Sequence, residues 1–174
     1  MVDEQGRPEM YANILLSTDG SDVAKKGLEN GFALAKALNA KVTVITVTEP
    51  LPIAVTEPLP ISVIEPLSID FGSGHAGGWS AEEVARFDAA CKEQAAKVLD
   101  EAQAMAEHIG ISAELLHIPN AHPASAMIET AKSRGCDLIV MSSHGRRGLR
   151  KFFLGSQTSE VLAAASVPVL VVHA

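Results

Sequence analysis

With 174 residues, 47% of them hydrophobic, the chain can bury one substantial core and needs no second domain, so a single domain over residues 1–174 is expected. The formal charge of -7 excludes a surface built for nucleic acid, because the one basic cluster, at residues 146–151, is too short to track a duplex. No apolar run approaches a membrane span, residues 1–10 carry Asp3, Glu4 and Pro8 where a secretion signal would be apolar, and Cys91 and Cys136 lack metal or redox spacing, so the reading is a cytoplasmic protein with reduced, packed thiols.

Residues 13–17 are an apolar run that predicts a first strand. The turn Thr18-Asp-Gly-Ser-Asp22 follows and supplies a helix cap, for which Ser21 and Asp22 are better placed than Asp19. Ala24, Leu28, Phe32, Ala35 and Leu38 then recur at helical spacing up to Asn39. Gly27 and Gly31, one turn apart, predict that this helix lies close to the sheet. Residues 42–47 are β-branched throughout and predict a second strand.

An insertion at about 48–79 interrupts the pattern. Thr48-Glu-Pro-Leu-Pro-Ile-Ala-Val55, Thr56-Glu-Pro-Leu-Pro-Ile-Ser-Val63 and Ile64-Glu-Pro-Leu-Ser-Ile-Asp-Phe71 are tandem copies of one unit. Their prolines forbid a helix, while Leu51, Ile53, Leu59 and Ile61 are too apolar for a free linker. The bland reading is a duplicated surface loop over the core; the sharper one is a lid or an arm for an unidentified protein partner.

Ser80-Ala-Glu-Glu83 has the spacing of a capping box, and an apolar stripe from Val84 through Phe87, Cys91, Ala95, Val98, Ala102 and Met105 to Ile109 predicts a long helix ending at Gly110. Residues 111–118 read as a third strand, 123–134 as a helix opened by Pro123 and closed by Gly135, and 137–141 as a fourth strand. A helix over 157–165 and a strand over 167–172 complete the chain. This alternation is that of an α/β protein, with helices on both faces of a parallel sheet.

In such a sheet, ligands sit beyond the C-terminal ends of the strands. Two loops there carry suitable chemistry. After the first strand, Ser17 and Thr18 lead to Asp19, whose carboxylate can accept from both hydroxyls of a ribose. After the fourth, the segment from Ser142 to Thr158 holds Gly145, Gly148 and Gly155, the cations Arg146, Arg147, Arg150 and Lys151, and a helix start whose amides can donate to an anion. His144 belongs to this loop's hydrogen bonding. His117 and His122 flank Pro119, and a metal site there is the less favoured reading.

From about Tyr11 to His173 the chain resembles the universal stress protein family. Its nucleotide-binding members carry Gly-x-x-Gly, nine residues, then Gly followed by Ser or Thr; this chain has Ser142-x-x-Gly145, nine residues, then Gly155-Ser156. The Asp19 turn and the closing Val167-Pro-Val-Leu-Val-Val172 are similar as well. The resemblance implies an open, twisted, Rossmann-like five-stranded parallel sheet of order 3-2-1-4-5. It implies ATP, alone or with Mg2+, as ligand, with Asp19 on the ribose, backbone groups of Val47 on the adenine and Met141 along the base and ribose. Gly145, Gly155, Ser156, Gln157 and Thr158 would hold the phosphates. Ser142 departs from the motif's first glycine: its Cβ would crowd the ligand or oppose a positive φ, or its hydroxyl would donate to a phosphate.

The leading expectation is therefore an ATP-binding regulator of the stress response, a homodimer through its terminal strand, with at most slow hydrolysis because no acidic pair has the spacing of a phosphoryl-transfer site. The alternatives are a dimeric interaction module that has lost nucleotide binding, and a nucleotide-dependent transferase or ligase.

Overall fold

The computed structural model describes residues 10–51, 80–143 and 155–173. Most of the repeat insertion and the loop bearing His144, Gly145, Arg146 and Gly148 lie outside the described residues. The elements are β1 (Asn13–Ser17), α1 (Asp22–Leu38), β2 (Lys41–Val47), α2 (Ala81–Ile109), β3 (Ala113–Ile118), α3 (Pro123–Arg134), β4 (Leu138–Ser143), α4 (Ser156–Ala164) and β5 (Val169–His173).

The strands form one five-stranded sheet of order β3-β2-β1-β4-β5, and every neighbouring pair is parallel. Leu15 stands between Thr43 and Ile139, which places the register of the central strands. Side chains alternate between the faces, as the two-residue period of a strand requires. Ile14, Leu16, Val44, Leu138 and Val140 pack under α1 and α2, with Leu28, Phe32 and Ala102. Leu15, Ile45, Ile139 and Met141 pack under α3 and α4, with Met127, Ala131 and Val161.

Local chemistry explains the element ends. Ser21 caps α1, its Oγ accepting from Ala24 N at 3.1 Å. Ser80 and Glu83 form the reciprocal capping box of α2. At the other end of α2, Gly110 adopts φ 82°, and Ile111 N donates back to Ala106 O at 3.0 Å. Ile111 is thus still part of the helix cap, and β3 begins two residues later than expected. The expected fourth strand likewise shifts: Asp137 accepts from the amides of Ala12 and Asn13, at 2.8 and 3.0 Å, and works as a turn residue, while the ladder runs on through Ser142 and Ser143. Pro168 has no N–H to give, and β5 opens at Val169. The apolar stripe of α1 stops at Ala35; Leu38 is 41% exposed in its last turn.

Cys91 and Cys136 are free and buried, and burial raises both thiols, Cys136 to about 11. No helix among the described residues is long and apolar enough to cross a membrane.

Candidate functional site

The chain passes from β1 to β2 on one side and returns to place β4 on the other, so the turns after β1 and β4 diverge at the middle of the sheet. A cavity of about 310 Å³ opens there. It is lined by every described residue of the expected binding set: Ser17, Thr18 and Asp19 after β1, Val47 at the end of β2, Met141 and Ser142 on β4, and Gly155, Ser156, Gln157 and Thr158 at the start of α4.

The β1 turn holds Asp19 in a defined pose. Its Oδ1 accepts from Ser21 N at 2.9 Å, and Thr18 Oγ1 accepts from Gly20 N at 3.1 Å. Among the described residues nothing engages Asp19 Oδ2, and the side chain is exposed. Gly20 cannot be replaced cheaply, because it sits at φ 80° and an added Cβ would stand 2.7 Å from Val98 Cγ2 of α2.

Val47 reaches the cavity through its backbone. Thr18 N donates to Ile45 O at 3.0 Å, and the β1–β2 register ends at Ser17 and Ile45. On the other side of β2, Thr48 N donates to Ile118 O at 3.1 Å. Ladder alternation therefore turns the N–H and C=O of Val47 toward the side that β1 has left, where the described residues offer no further partner.

Three helices, α1, α3 and α4, present their N-terminal ends to this cavity through Ser21 and Ala24, Pro123, and Gly155 to Thr158. Gly155 is the N-cap of α4 and makes no side-chain cap, so among the described residues the first amides of that helix have no capping side chain. Their partial positive charge favours an anion. The Gln157 side chain is committed elsewhere: its Oε1 accepts from Ala124 N at 3.1 Å, and its Nε2 lies 3.4 Å from His122 Nε2, tying α4 to the start of α3. The backbone N–H of Gln157 lies at the helix start, where it can serve a ligand.

Ser142 is an ordinary strand residue paired with Val172, not a left-handed one, so no positive φ conflicts with its Cβ. Its side chain turns to α1, where Gly27 leaves room for it. Ser143 points to the opposite face. It is 4% exposed, lines the cavity, and its Oγ has no hydrogen-bond partner among the described residues. A buried hydroxyl left unpaired costs about 1–3 kcal/mol. Sequence reasoning passed over Ser143, although it lies within the quoted motif, and also missed Pro123 and Met127, which reach the cavity from α3 without any motif.

No cluster of His, Cys, Asp or Glu among the described residues is arranged to hold a metal. His117 and His122 have separate engagements, the first with Thr48 Oγ1 at 2.9 Å and the second with Glu160 at 3.5 Å. Burial, then Lys92, holds the His117 imidazole below its usual value.

The profile of the universal stress protein family matches residues 10–173. A universal stress protein of Thermus aquaticus, encoded beside a QAH/OAS sulfhydrylase, is 32% identical, with 94% of this chain and 100% of that protein covered. A universal stress protein solved in complex with cAMP superposes with a TM-score of 0.61 at 22% identity, covering 94% of this chain and 98% of the other. One from Archaeoglobus fulgidus in complex with dAMP gives a TM-score of 0.57 at 18% identity over 93% and 98% of the two chains.

Proposed function

Because the chain belongs to the universal stress protein family, we propose that its cavity binds an adenine nucleotide, ATP, which serves as ligand or conformational switch in stress-response regulation. The observation that carries this reading is the meeting of three chemistries in one cavity: the open carboxylate oxygen of Asp19, the unpaired backbone of Val47 and the uncapped amides of α4. Asp19 Oδ2 accepts from the ribose hydroxyls. The N–H and C=O of Val47 match the N1 acceptor and N6 donor of adenine, whereas guanine presents the reverse order. The amides of Ser156, Gln157 and Thr158 receive the phosphates, with Mg2+ arriving as their companion. The relatives bound to cAMP and dAMP support an adenine ligand.

Asp19 is the one acidic residue lining the cavity among the described residues. Rapid phosphoryl transfer requires a metal-holding carboxylate and a group that orients the nucleophile, so the nucleotide is held more than it is consumed. The protein works in the cytoplasm as a homodimer paired along β5, an edge strand on which Leu170 is 40% exposed.

Calorimetry of the full chain with ATP and GTP, each with Mg2+, tests the reading. ATP is expected to bind and GTP to bind more weakly. Asp19→Ala should lower ATP affinity about 10- to 100-fold, the loss of a charged hydrogen bond, and the loss should shrink for a 2′,3′-dideoxy analogue. Absence of heat with ATP would leave the interaction-module reading.

A further inference from the structure

We propose that His122 is a positioning residue for the cavity: in its neutral form it completes a hydrogen-bonded relay that holds the start of α4 against the start of α3, and its protonation opens that relay. The inference rests on the nucleotide reading above and deepens it. Both helix starts line the cavity, through Pro123 and through Gly155 to Thr158, while His122 is not among the lining residues and acts through its neighbours.

The relay begins with a cap supplied by another helix. His122 is the N-cap of α3 but makes no side-chain cap hydrogen bond. Gln157, in the first turn of α4 and 33 residues from Ala124, takes over that task, its Oε1 accepting from Ala124 N at 3.1 Å. Donor and acceptor chemistry fixes the remaining links. With Oε1 taken by Ala124, the amide turns its Nε2 to His122; an amide nitrogen only donates, so His122 Nε2, 3.4 Å away, accepts. A neutral imidazole that accepts at Nε2 carries its proton at Nδ1, and this nitrogen lies 3.5 Å from Glu160 Oε1, one turn further along α4. Every link therefore donates in one direction, from Ala124 to Gln157, from Gln157 to His122 and from His122 to Glu160.

A second proton on the ring reverses one link. The imidazolium donates at both nitrogens, so its Nε2–H meets the Nε2 hydrogens of Gln157, and the amide must turn over or withdraw. Either movement takes Oε1 away from Ala124 N. The His122 side chain is 49% exposed, so solvent protons reach it, and imidazole is the side chain that changes charge in mild acid. Glu160 is the charged group that α4 turns to it; a pair this exposed contributes little and does not restore the cap of α3. The strands β1, β2 and β4, which also pack on α3, present Leu15, Ile45, Ile139 and Met141 to it, and on α3 itself Glu129 stands nearly two turns further on. The charge of His122 is thus read by Gln157, and through Gln157 by the first turn of α4.

The test compares the full wild-type chain with His122→Ala at about pH 7.5 and about pH 5.5, on either side of the range in which imidazoles titrate. Without ligand, nitrogen NMR of the wild type at the higher pH should show the Nδ1–H tautomer of His122. Protection of the Ala124 N–H against exchange, relative to its intrinsic rate, should fall about 3- to 10-fold at the lower pH, the loss of one hydrogen bond. In His122→Ala this protection should not respond to pH, and in Gln157→Glu it should survive in acid, because a carboxylate accepts both from Ala124 N–H and from the imidazolium. ATP changes its own protonation equally for both proteins, so its affinity should fall between the two pH values by about 3- to 10-fold more in the wild type than in His122→Ala. An Nε2–H tautomer, or Ala124 protection in the wild type that ignores pH, overturns the relay. An equal pH dependence of ATP affinity in the two proteins overturns the positioning role. A wild-type chain that binds no ATP at either pH overturns the nucleotide reading and the positioning role with it, and the ligand-free measurements distinguish that outcome from failure of the relay.

Discussion

Gly27 of α1 faces Ser142 of β4 so closely that a Cβ on Gly27 would stand 3.1 Å from the serine Cβ and 3.4 Å from its Oγ. The serine that replaces the motif's glycine is therefore accommodated by a glycine elsewhere, on the helix it would otherwise push away. This contact yields a double-mutant cycle. Gly27→Ala gains helix propensity but crowds Ser142, and in a Ser142→Gly background the crowding disappears. The alanine should be more favourable in that background by about 0.5–1 kcal/mol, read from denaturant midpoints; strict additivity would show that the two positions do not touch. Ser142→Gly alone should leave ATP affinity within about twofold, because the hydroxyl faces the helix.

Gly155 tests the phosphate end without disturbing the fold. Among the described residues, a Cβ there would meet nothing closer than Thr158 Oγ1 at 4.0 Å. Gly155→Val should keep the unfolding temperature within a few degrees and abolish ATP binding, since the side chain would occupy the approach to the α4 amides. Wild-type ATP affinity in a folded Gly155→Val protein would move the phosphates away from α4.

The edge strand carries the prediction on assembly. Leu170 is 40% exposed on β5, which is an edge of the sheet among the described residues, and the outer side of an edge strand offers backbone groups for pairing. Light scattering of the wild type should give the mass of two chains. Leu170→Lys should shift the species toward one chain while circular dichroism remains native; a wild type monomeric at all concentrations would refute pairing along β5.

Cys136 gives a pH dependence with a definite sign. Burial, reinforced by Asp137, pushes its thiol from the ordinary 9.0 to about 11. The folded state thus holds the proton more tightly than the unfolded chain. Its contribution to stability is fully present below about pH 9 and is lost as pH rises through about 11. The fall in unfolding free energy over that window should be shallower in Cys136→Ala than in the wild type, and parallel curves would contradict a buried, protonated thiol. Slow alkylation of the native protein at pH 8 follows from the same burial.

The sequence by itself determined the features whose causes lie within a few residues. Ser80 and Glu83 bracket one helix start, Pro123 and Gly135 bracket a whole helix, and the β-branched run ending at Val47 admits only a strand. The glycines and Asp19 also marked both halves of the cavity, because turn and cap chemistry is local and leaves a local signature. Strand order was legible only through resemblance to a family, since periodicity says which elements form and not which become neighbours. Tertiary structure alone decided the rest. Whether a serine at the end of β4 packs beside Gly27 or turns an unpaired hydroxyl to the opposite face depends on its register, and a shift of one residue exchanges Ser142 for Ser143. Met127 and Pro123 enter the cavity from α3, and Gln157 spends its amide on Ala124, 33 residues away in the chain. Such relationships arise where separate loops converge above the sheet, and no spacing along the chain encodes a distance across it.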